Sequence, residues 1–334
     1  MRTYLVKALK VVLWTPVVLA ILIAAMWATA ALAIDVRISW LGTPLAIVFA
    51  LAVVAVFVFV RPWRRAFLGF ALLFLIVLGW WFTLQPTNNR DWAPDVAELP
   101  GITIDGDIVT IRNVRNFEYR SETDFTPRYD TRTYDLSKLR TLDFFCSYWA
   151  GPSIAHTFLS FGFDDGQQLV LSVETRKVKG ESYSAVMGFF RQYELIYIFA
   201  DERDIVRVRT NFRGEHVYMF RTRASGEKLR SALVKFLRRA EHLDTNPAWY
   251  NALTDNCTNN LFAIGSVPPA SIVFRPRILL TGYADEYLYH QGSLATQVPF
   301  DELKAESLID AKAIAAGDSP DFSKLIRVGE IIPQ

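Results

Sequence analysis

Ile154-Ala-His-Thr-Phe-Leu-Ser-Phe-Gly-Phe163 and Gln167-Gln-Leu-Val-Leu-Ser-Val-Glu-Thr-Arg-Lys177 flank the short run Asp164-Asp-Gly166. Two runs rich in strand formers around a glycine-ending connection read as an antiparallel hairpin. A three-residue loop built on a type I turn and a G1 bulge wants its left-handed residue third, which is where Gly166 stands. In that register Phe163 pairs with Gln167, paired positions sum to 330, and His156 falls opposite Glu174. Cross-strand partners point to the same face, so an imidazole would meet a carboxylate there. The alternative is a two-residue loop at Asp165-Gly166, which pairs His156 with Thr175 and turns Glu174 to the other face. In either register the plain reading is an edge pair of solvated polar side chains.

A second stretch supplies what an imidazole–carboxylate pair would serve. Tyr250-Asn-Ala-Leu-Thr-Asp-Asn-Cys-Thr-Asn-Asn-Leu-Phe262 puts the capping types Thr254, Asp255 and Asn256 directly before Cys257, and an apolar, helix-compatible run after it. That order predicts a loop ending in an N-cap, with the thiol in the first helical turn. Unpaired N–H groups and the helix dipole favour an anion at this place, so a thiolate there has a depressed pKa. The bland alternative is a Cys146–Cys257 disulfide, since these are the chain's two cysteines. Cys146 lies in Leu142-Asp-Phe-Phe-Cys-Ser-Tyr-Trp149, however, which has the pattern of a buried strand, where a free thiol is at home.

His216 follows a turn, His242 sits in a charged helix and His290 has no partner at a recognisable spacing, which leaves His156 as the candidate base. No H-x-x-x-H or C-x-x-C occurs, so no metal site is expected. Nucleotide-binding glycine motifs and G-x-S-x-G are absent too, and no cofactor is expected. The segment Lys179–Tyr193, at the end of the hairpin, carries Tyr183, Arg191 and Tyr193, which with Asn256 are the candidate substrate contacts; Arg191 would suit an anionic headgroup, and the alternative is that the segment serves packing alone.

Three apolar runs fill the first quarter of the chain: Val11–Ile34, Trp40–Val60 and Ala66–Leu84, of 24, 21 and 19 residues. Each is near the ~20 residues that cross a bilayer as a helix. Arg2, Lys7 and Lys10 precede the first run and Arg61, Arg64 and Arg65 separate the second from the third, whereas only Arg37 lies between the first two. The positive-inside rule then puts the N-terminus and the 61–65 loop in the cytoplasm and the remainder outside. A signal-peptidase site at Ala31-Leu-Ala33 is the rival reading, and it leaves the later part in the same compartment. Residues 85–334 hold 29 of the 36 Lys and Arg and 33 of the 34 Asp and Glu, a net charge of −4 that offers no nucleic-acid footprint.

The expected organisation is therefore a membrane anchor over 1–84, a linker and hairpin over 85–112, and an extracytoplasmic catalytic domain over 113–334. Strands are expected at Thr141–Trp149, Ala155–Phe163, Gln167–Lys177, Leu195–Ala200, Ile205–Phe212 and His216–Thr222, and Asp105-Gly106 marks a further hairpin turn. Asn116–Lys138 reads as an irregular surface segment. Glu227–Leu243 reads as an amphipathic helix with Ser225 as its cap, a Pro-rich loop (Pro268, Pro269, Pro276) follows the Cys257 helix, and Phe300–Ala316 has helical character. The fold class is α+β, an antiparallel sheet with segregated helices.

The order of these pieces, histidine on a strand, a polar partner on the next, and a later Asn256-Cys257 opening a helix, resembles the circularly permuted papain-like thiol enzymes, among them lecithin:retinol acyltransferase. Asn116-Phe, Tyr134-Asp-Leu, Ser147-Tyr-Trp, His156-Thr-Phe-Leu-Ser-Phe, Glu174-Thr-Arg, Lys179-Gly-Glu-Ser-Tyr, Arg191-Gln-Tyr-Glu, Trp249-Tyr-Asn and Asn256-Cys-Thr further resemble the bacterial family of the Lnb N-terminal periplasmic domain. The resemblance implies a bacterial protein, so the three spans and their loop charges make it a multi-pass protein of the inner membrane with its domain in the periplasm; three spans before the domain are not a layout that the resemblance itself implies. The resemblance also implies a cysteine acyltransferase or hydrolase in which Cys257 carries a thioester, His156 moves the proton and Glu174 orients it. Membrane lipids or lipoproteins are the implied substrates. A cysteine amidase or peptidase acting on envelope peptides uses the same residues, and a non-catalytic envelope-binding module needs none of them.

Overall fold

The computed structural model describes residues 2–264 and 281–329, with side chains from residue 14 onward. The expected Pro-rich loop lies outside the described residues. The chain divides into two compact units, one of Met1–Pro86 with Ser184–Gln192 and one of Thr87–Tyr183 with Tyr193–Gln334.

The first unit holds helices α1 (Arg2–Asp35), α2 (Gly42–Phe59) and α3 (Trp63–Thr83). Trp14–Asp35, Gly42–Phe59 and Trp63–Thr83 are each long and apolar enough to cross a membrane. Ala28, Phe49, Val53, Phe70 and Val77 form their common core, while Leu22, Ile23, Val48, Leu51, Leu68 and Leu72 stay exposed. Helices that are apolar all round belong in lipid. The α1–α2 turn is tight: a Cβ on Gly42 would stand 2.9 Å from the Ala33 carbonyl oxygen.

The second unit is α+β. An antiparallel sheet runs in the order β1 (Gly101–Asp105), β2 (Ile108–Arg115), β9 (Glu194–Ala200), β8 (Gln168–Arg176), β7 (Ala155–Phe163), β6 (Leu139–Tyr148), β10 (His216–Arg221), with β5 (Tyr129–Asp135) also on β2. Among the described residues the one parallel contact joins β2 to β9 at Arg115 and Ala200. Strands β3 (Glu118–Tyr119) and β4 (Phe125–Thr126) form a separate pair. The central strands are apolar on both faces because both are covered. Phe144, Cys146, Leu159, Phe161, Leu171, Val173, Tyr197 and Phe199 face α5 (Gly226–Thr245) and α6 (Cys257–Ile264). Their alternates Phe145, Phe158, Val170, Ile196, Ile198, Val217 and Met219 pack with Ile205, Val206, Ala313, Phe322 and Ile326.

Several local expectations change. Ile205–Phe212, read as a strand, is instead helix α4 (Glu202–Arg207) running into a π-helix, Val208–Arg213. Asp201 caps it by accepting from the Arg203 N–H at 2.9 Å, and Gly214 in the left-handed region stops it, signals that outweigh a β-branched run. Asn116–Lys138 is not irregular, since β5 lies in it; Thr131 and Thr133 face outward, while Asp130 and Arg132 share the inner face with buried Tyr134 and are ion-paired there, Arg132 with Asp130 and Asp201. Ser225 precedes α5 without capping it by its side chain. Phe300–Ala316 breaks into Phe300–Ser307 and Asp310–Ala316 because Ile309 donates its N–H to Val217 of the sheet.

Candidate active site

The β7–β8 hairpin has the three-residue connection. Gly166 has φ +84°, its N–H reaches the Phe163 carbonyl at 3.0 Å, and Phe163 N–H reaches Gln167 O at 3.0 Å. Paired residues run from Gly162 with Gln168 to Phe158 with Ser172, and the ladder stops there. Pairing of β6 with β7 nonetheless continues to Tyr148 and Ala155, and pairing of β8 with β9 to Arg176 and Glu194. The sheet therefore opens between β7 and β8 at the level of His156 and Glu174. Thr157, which continued pairing would set opposite Val173, donates its backbone N–H to the Cys257 sulfur instead.

Cys257 is the first residue of α6, and the Asn256 side chain caps the helix by accepting the Asn259 N–H at 2.8 Å. The preceding loop is shaped by Asn251, whose side-chain oxygen accepts the N–H groups of Leu253 (2.9 Å) and Thr254 (3.1 Å). Thr258 Oγ1 lies 3.9 Å from Cys257 Sγ and 3.0 Å from Thr157 Oγ1. The thiol is 5% exposed. Both cysteines are free, which removes the disulfide alternative.

His156 is hydrogen-bonded to the Cys257 thiol on one side. On the other, its Nε2 is 2.7 Å from Ser172 Oγ and 3.1 Å from Glu174 Oε1. Ser172 Oγ donates to Glu174 Oε1 at 2.7 Å, so the serine accepts from the ring and the Nε2 proton is fixed. That leaves Nδ1 to serve the sulfur. The ring also stacks on Phe158 at 5.9 Å.

Arg209, in the π-helix, is the member that the sequence reading missed. Its Nη2 donates to Glu174 Oε1 at 3.0 Å, and its guanidinium lies 5.2 Å from the Phe158 ring centre. π-Turns of this kind recur at functional sites. The nearest sequence signal is the spacing Arg207, Arg209, Arg213, which does not single out the middle one.

These contacts polarise the group. Burial alone would lower the His156 pKa, but the Glu174 charge beside it wins against burial and Arg209 and holds it at about 9. Burial alone would raise the Cys257 thiol; the hydrogen bond and charge of His156, with the N–H and hydroxyl of Thr157, bring it down to about 7. Glu174 resists burial because His156, Arg209 and Ser172 all favour its ionised form, well below the usual carboxylate range. Cys146 is pushed well up by burial and the Asp285 charge, which the Lys304 charge and the Asp285 backbone hydrogen bond do not offset. With the imidazole the stronger base, a thiolate–imidazolium pair prevails between about pH 7 and 9.

The four remaining candidates have separate fates. Asn256 is occupied as a cap. Tyr183 and Tyr193 stack at 6.0 Å; Tyr193 Oη donates to the Ser182 carbonyl at 3.0 Å, and Tyr183 hydrogen-bonds Tyr250, whose hydroxyl senses the Cys257 charge. Exposed Trp149 meets Tyr183 edge-on at 5.9 Å, so an aromatic wall adjoins the thiol. Arg191 belongs to the first unit, where its guanidinium binds the Leu84 carbonyl and lies 4.0 Å over the Trp81 ring. A cavity of about 650 Å³, lined by Tyr148, Trp149, Arg213, Glu215, Tyr218 and Lys304, is bordered by neither Cys257 nor His156.

Fold and site define a class: a membrane-associated α+β domain in which a sheet strand brings an imidazole to a helix-capped thiol. Within that class, residues 125–284 match the family model of the Lnb N-terminal periplasmic domain, the family to which the sequence resemblance points. The match takes in His156, Glu174, Arg209 and Cys257 and leaves α1–α3 outside. The chain is accordingly a membrane protein that carries a segment similar to a periplasmic domain family. No curated protein and no solved structure matches it.

Proposed function

We propose that the protein is a cysteine acyltransferase or hydrolase of the bacterial inner membrane, multi-pass, with its catalytic domain in the periplasm and lipids or lipoproteins as substrates. The observation that carries this reading is the Cys257–His156–Glu174 relay, with its thiol held at about pH 7 by a protonated neighbour. The Cys257 thiolate attacks the ester carbonyl of an acyl donor, a C–S bond forms, and the tetrahedral oxyanion is met by the Cys257 backbone N–H, which has no partner within the helix at this position. Collapse breaks the C–O bond, and imidazolium His156 gives its proton to the departing alkoxide. An amine or water, deprotonated by His156, then attacks the thioester; the new C–N or C–O bond forms as C–S breaks and the thiolate returns. Glu174 keeps the ring aimed and charged throughout, and Arg209 keeps Glu174 ionised.

The test is intact-protein mass spectrometry of the full chain reconstituted with phospholipid. The expected result is a fatty-acyl mass on Cys257, removed by hydroxylamine and absent from Cys257→Ser. Release of soluble peptides from envelope material, with no acyl adduct under any donor lipid, would favour the peptidase reading instead.

A further inference from the structure

Ser184–Gln192 separates from its flanking residues: Tyr183 and Tyr193 belong to the sheet-bearing unit, but the nine residues between them group with α1–α3. The contacts responsible converge on Asp35, which ends α1 and is 2% exposed. Its carboxylate accepts the Arg191 N–H at 3.0 Å, Gln192 Nε2 at 2.7 Å and Trp81 Nε1 of α3 at 2.7 Å. Gln192 Nε2 also reaches the Ile34 carbonyl at 3.0 Å, and the Arg191 guanidinium covers Trp81 and Phe82 at 4.0 and 5.6 Å. Because α1, α2 and α3 alternate in direction, the ends of α1 and α3 share one side of the bilayer. The segment is thus clasped to the rim of the spanning bundle.

What it presents there is apolar. Val186, Met187 and Phe189 are 61%, 36% and 46% exposed, and the α1–α2 turn on the same rim adds Ile38 at 51% and Trp40 at 73%. Arg191 is the segment's only charged side chain and is already engaged. Exposed apolar side chains held at the level where spanning helices end match the interfacial zone of a bilayer, with an aromatic residue at headgroup depth.

We infer that Ser184–Gln192 is a membrane-surface element whose Val186, Met187 and Phe189 side chains enter the lipid headgroup–acyl boundary, with Asp35 as the clasp that sets their depth. It rests on the spanning helices and not on the catalytic reading, so either can fail alone.

The full chain carrying Cys146→Ala and Cys257→Ser, with Val186→Cys or Phe189→Cys, takes a nitroxide label at an exposed position and is reconstituted in nanodiscs of phosphatidylcholine and phosphatidylglycerol. Collisions with oxygen, which concentrates in lipid, are compared with those of a water-soluble nickel complex. Several-fold greater access for oxygen at both positions is expected. Asp35→Ala should abolish that preference while α1–α3 remain helical by circular dichroism. Free access for nickel at both positions in the otherwise unchanged chain overturns the inference. So does protection from both reagents, which would mean that a protein partner covers the segment.

Discussion

Replacing Glu174 by glutamine keeps the shape of the orienting group and removes its charge, and the consequence is calculable from the site. With His156 at about 9 and Cys257 at about 7, half of the thiol is ionised at pH 7. Glu174 is the main influence holding the imidazole up; without it, burial and Arg209 return the ring towards or below its ordinary 6.5. The thiol then loses its cationic partner and returns towards its ordinary 9.0. The thiolate population at pH 7 falls by roughly 50-fold. Each remaining thiolate is more basic and therefore about 6–10-fold more nucleophilic, so iodoacetamide alkylation of Cys257 should slow by only about 5–8-fold at pH 7. The same arithmetic makes the variant faster than the parent above about pH 8, and the two pH–rate curves must cross. Acyl transfer also needs imidazolium as an acid and should lose more, roughly 10²–10³-fold. The assay is alkylation on a Cys146→Ala background across pH 5–10, with melting temperature as the control for folding. A variant whose alkylation midpoint stays near 7 would refute the coupling between Glu174, His156 and the thiol.

Arg209→Met should move the alkaline limb of the activity profile upward, because removing a cation lets His156 hold its proton to higher pH; it should also cost about 3 kcal/mol of stability by stripping a buried partner from Glu174. A limb that does not move would reduce Arg209 to a packing role. In the native protein Cys257 should alkylate near neutral pH while Cys146 stays inert until the chain is unfolded, as peptide mapping after differential labelling would read. Thr157→Val removes a hydroxyl that helps the thiolate, so the acid limb should shift up with the alkaline limb in place. For the membrane, a reporter fused after Leu84 should read as periplasmic and one within Arg61–Arg65 as cytoplasmic; both on one side would refute three spans.

The parts of the site that were legible in the sequence are those set by short-range counting. Loop length fixes the hairpin register, and with it the approach of Glu174 to His156. A run of capping residues before an apolar helix fixes Cys257 at a helix start. Ser172 carries no signal of its own beside Glu174, because on paper one partner suffices; in the fold it completes the relay, accepting from His156 and donating to Glu174. Arg209 was hidden because its turn carries Ile205, Val206 and Val208, whose β-branching imitates a strand. The fate of Arg191 was equally hidden, since neither periodicity nor composition encodes a contact with Leu84 and Trp81 more than a hundred residues away. Strand β5 was masked by Asp130 and Arg132, whose charges find partners only in the fold, in each other and in Asp201.

The opening between β7 and β8 has a consequence for how long an acyl group would stay on the protein. A ladder that ran one pair further would have spent the Thr157 N–H on Val173; ending it at Phe158 and Ser172 leaves that N–H aimed at sulfur. An amide that stabilises anionic sulfur is worth little to a neutral thioester and regains its value when the C–S bond breaks. The stabilisation would thus be withheld from a loaded state and returned to the unloaded one, which would make Cys257 a good leaving group as well as a good nucleophile. A missing backbone pair would in this way bias the residue toward passing its cargo on.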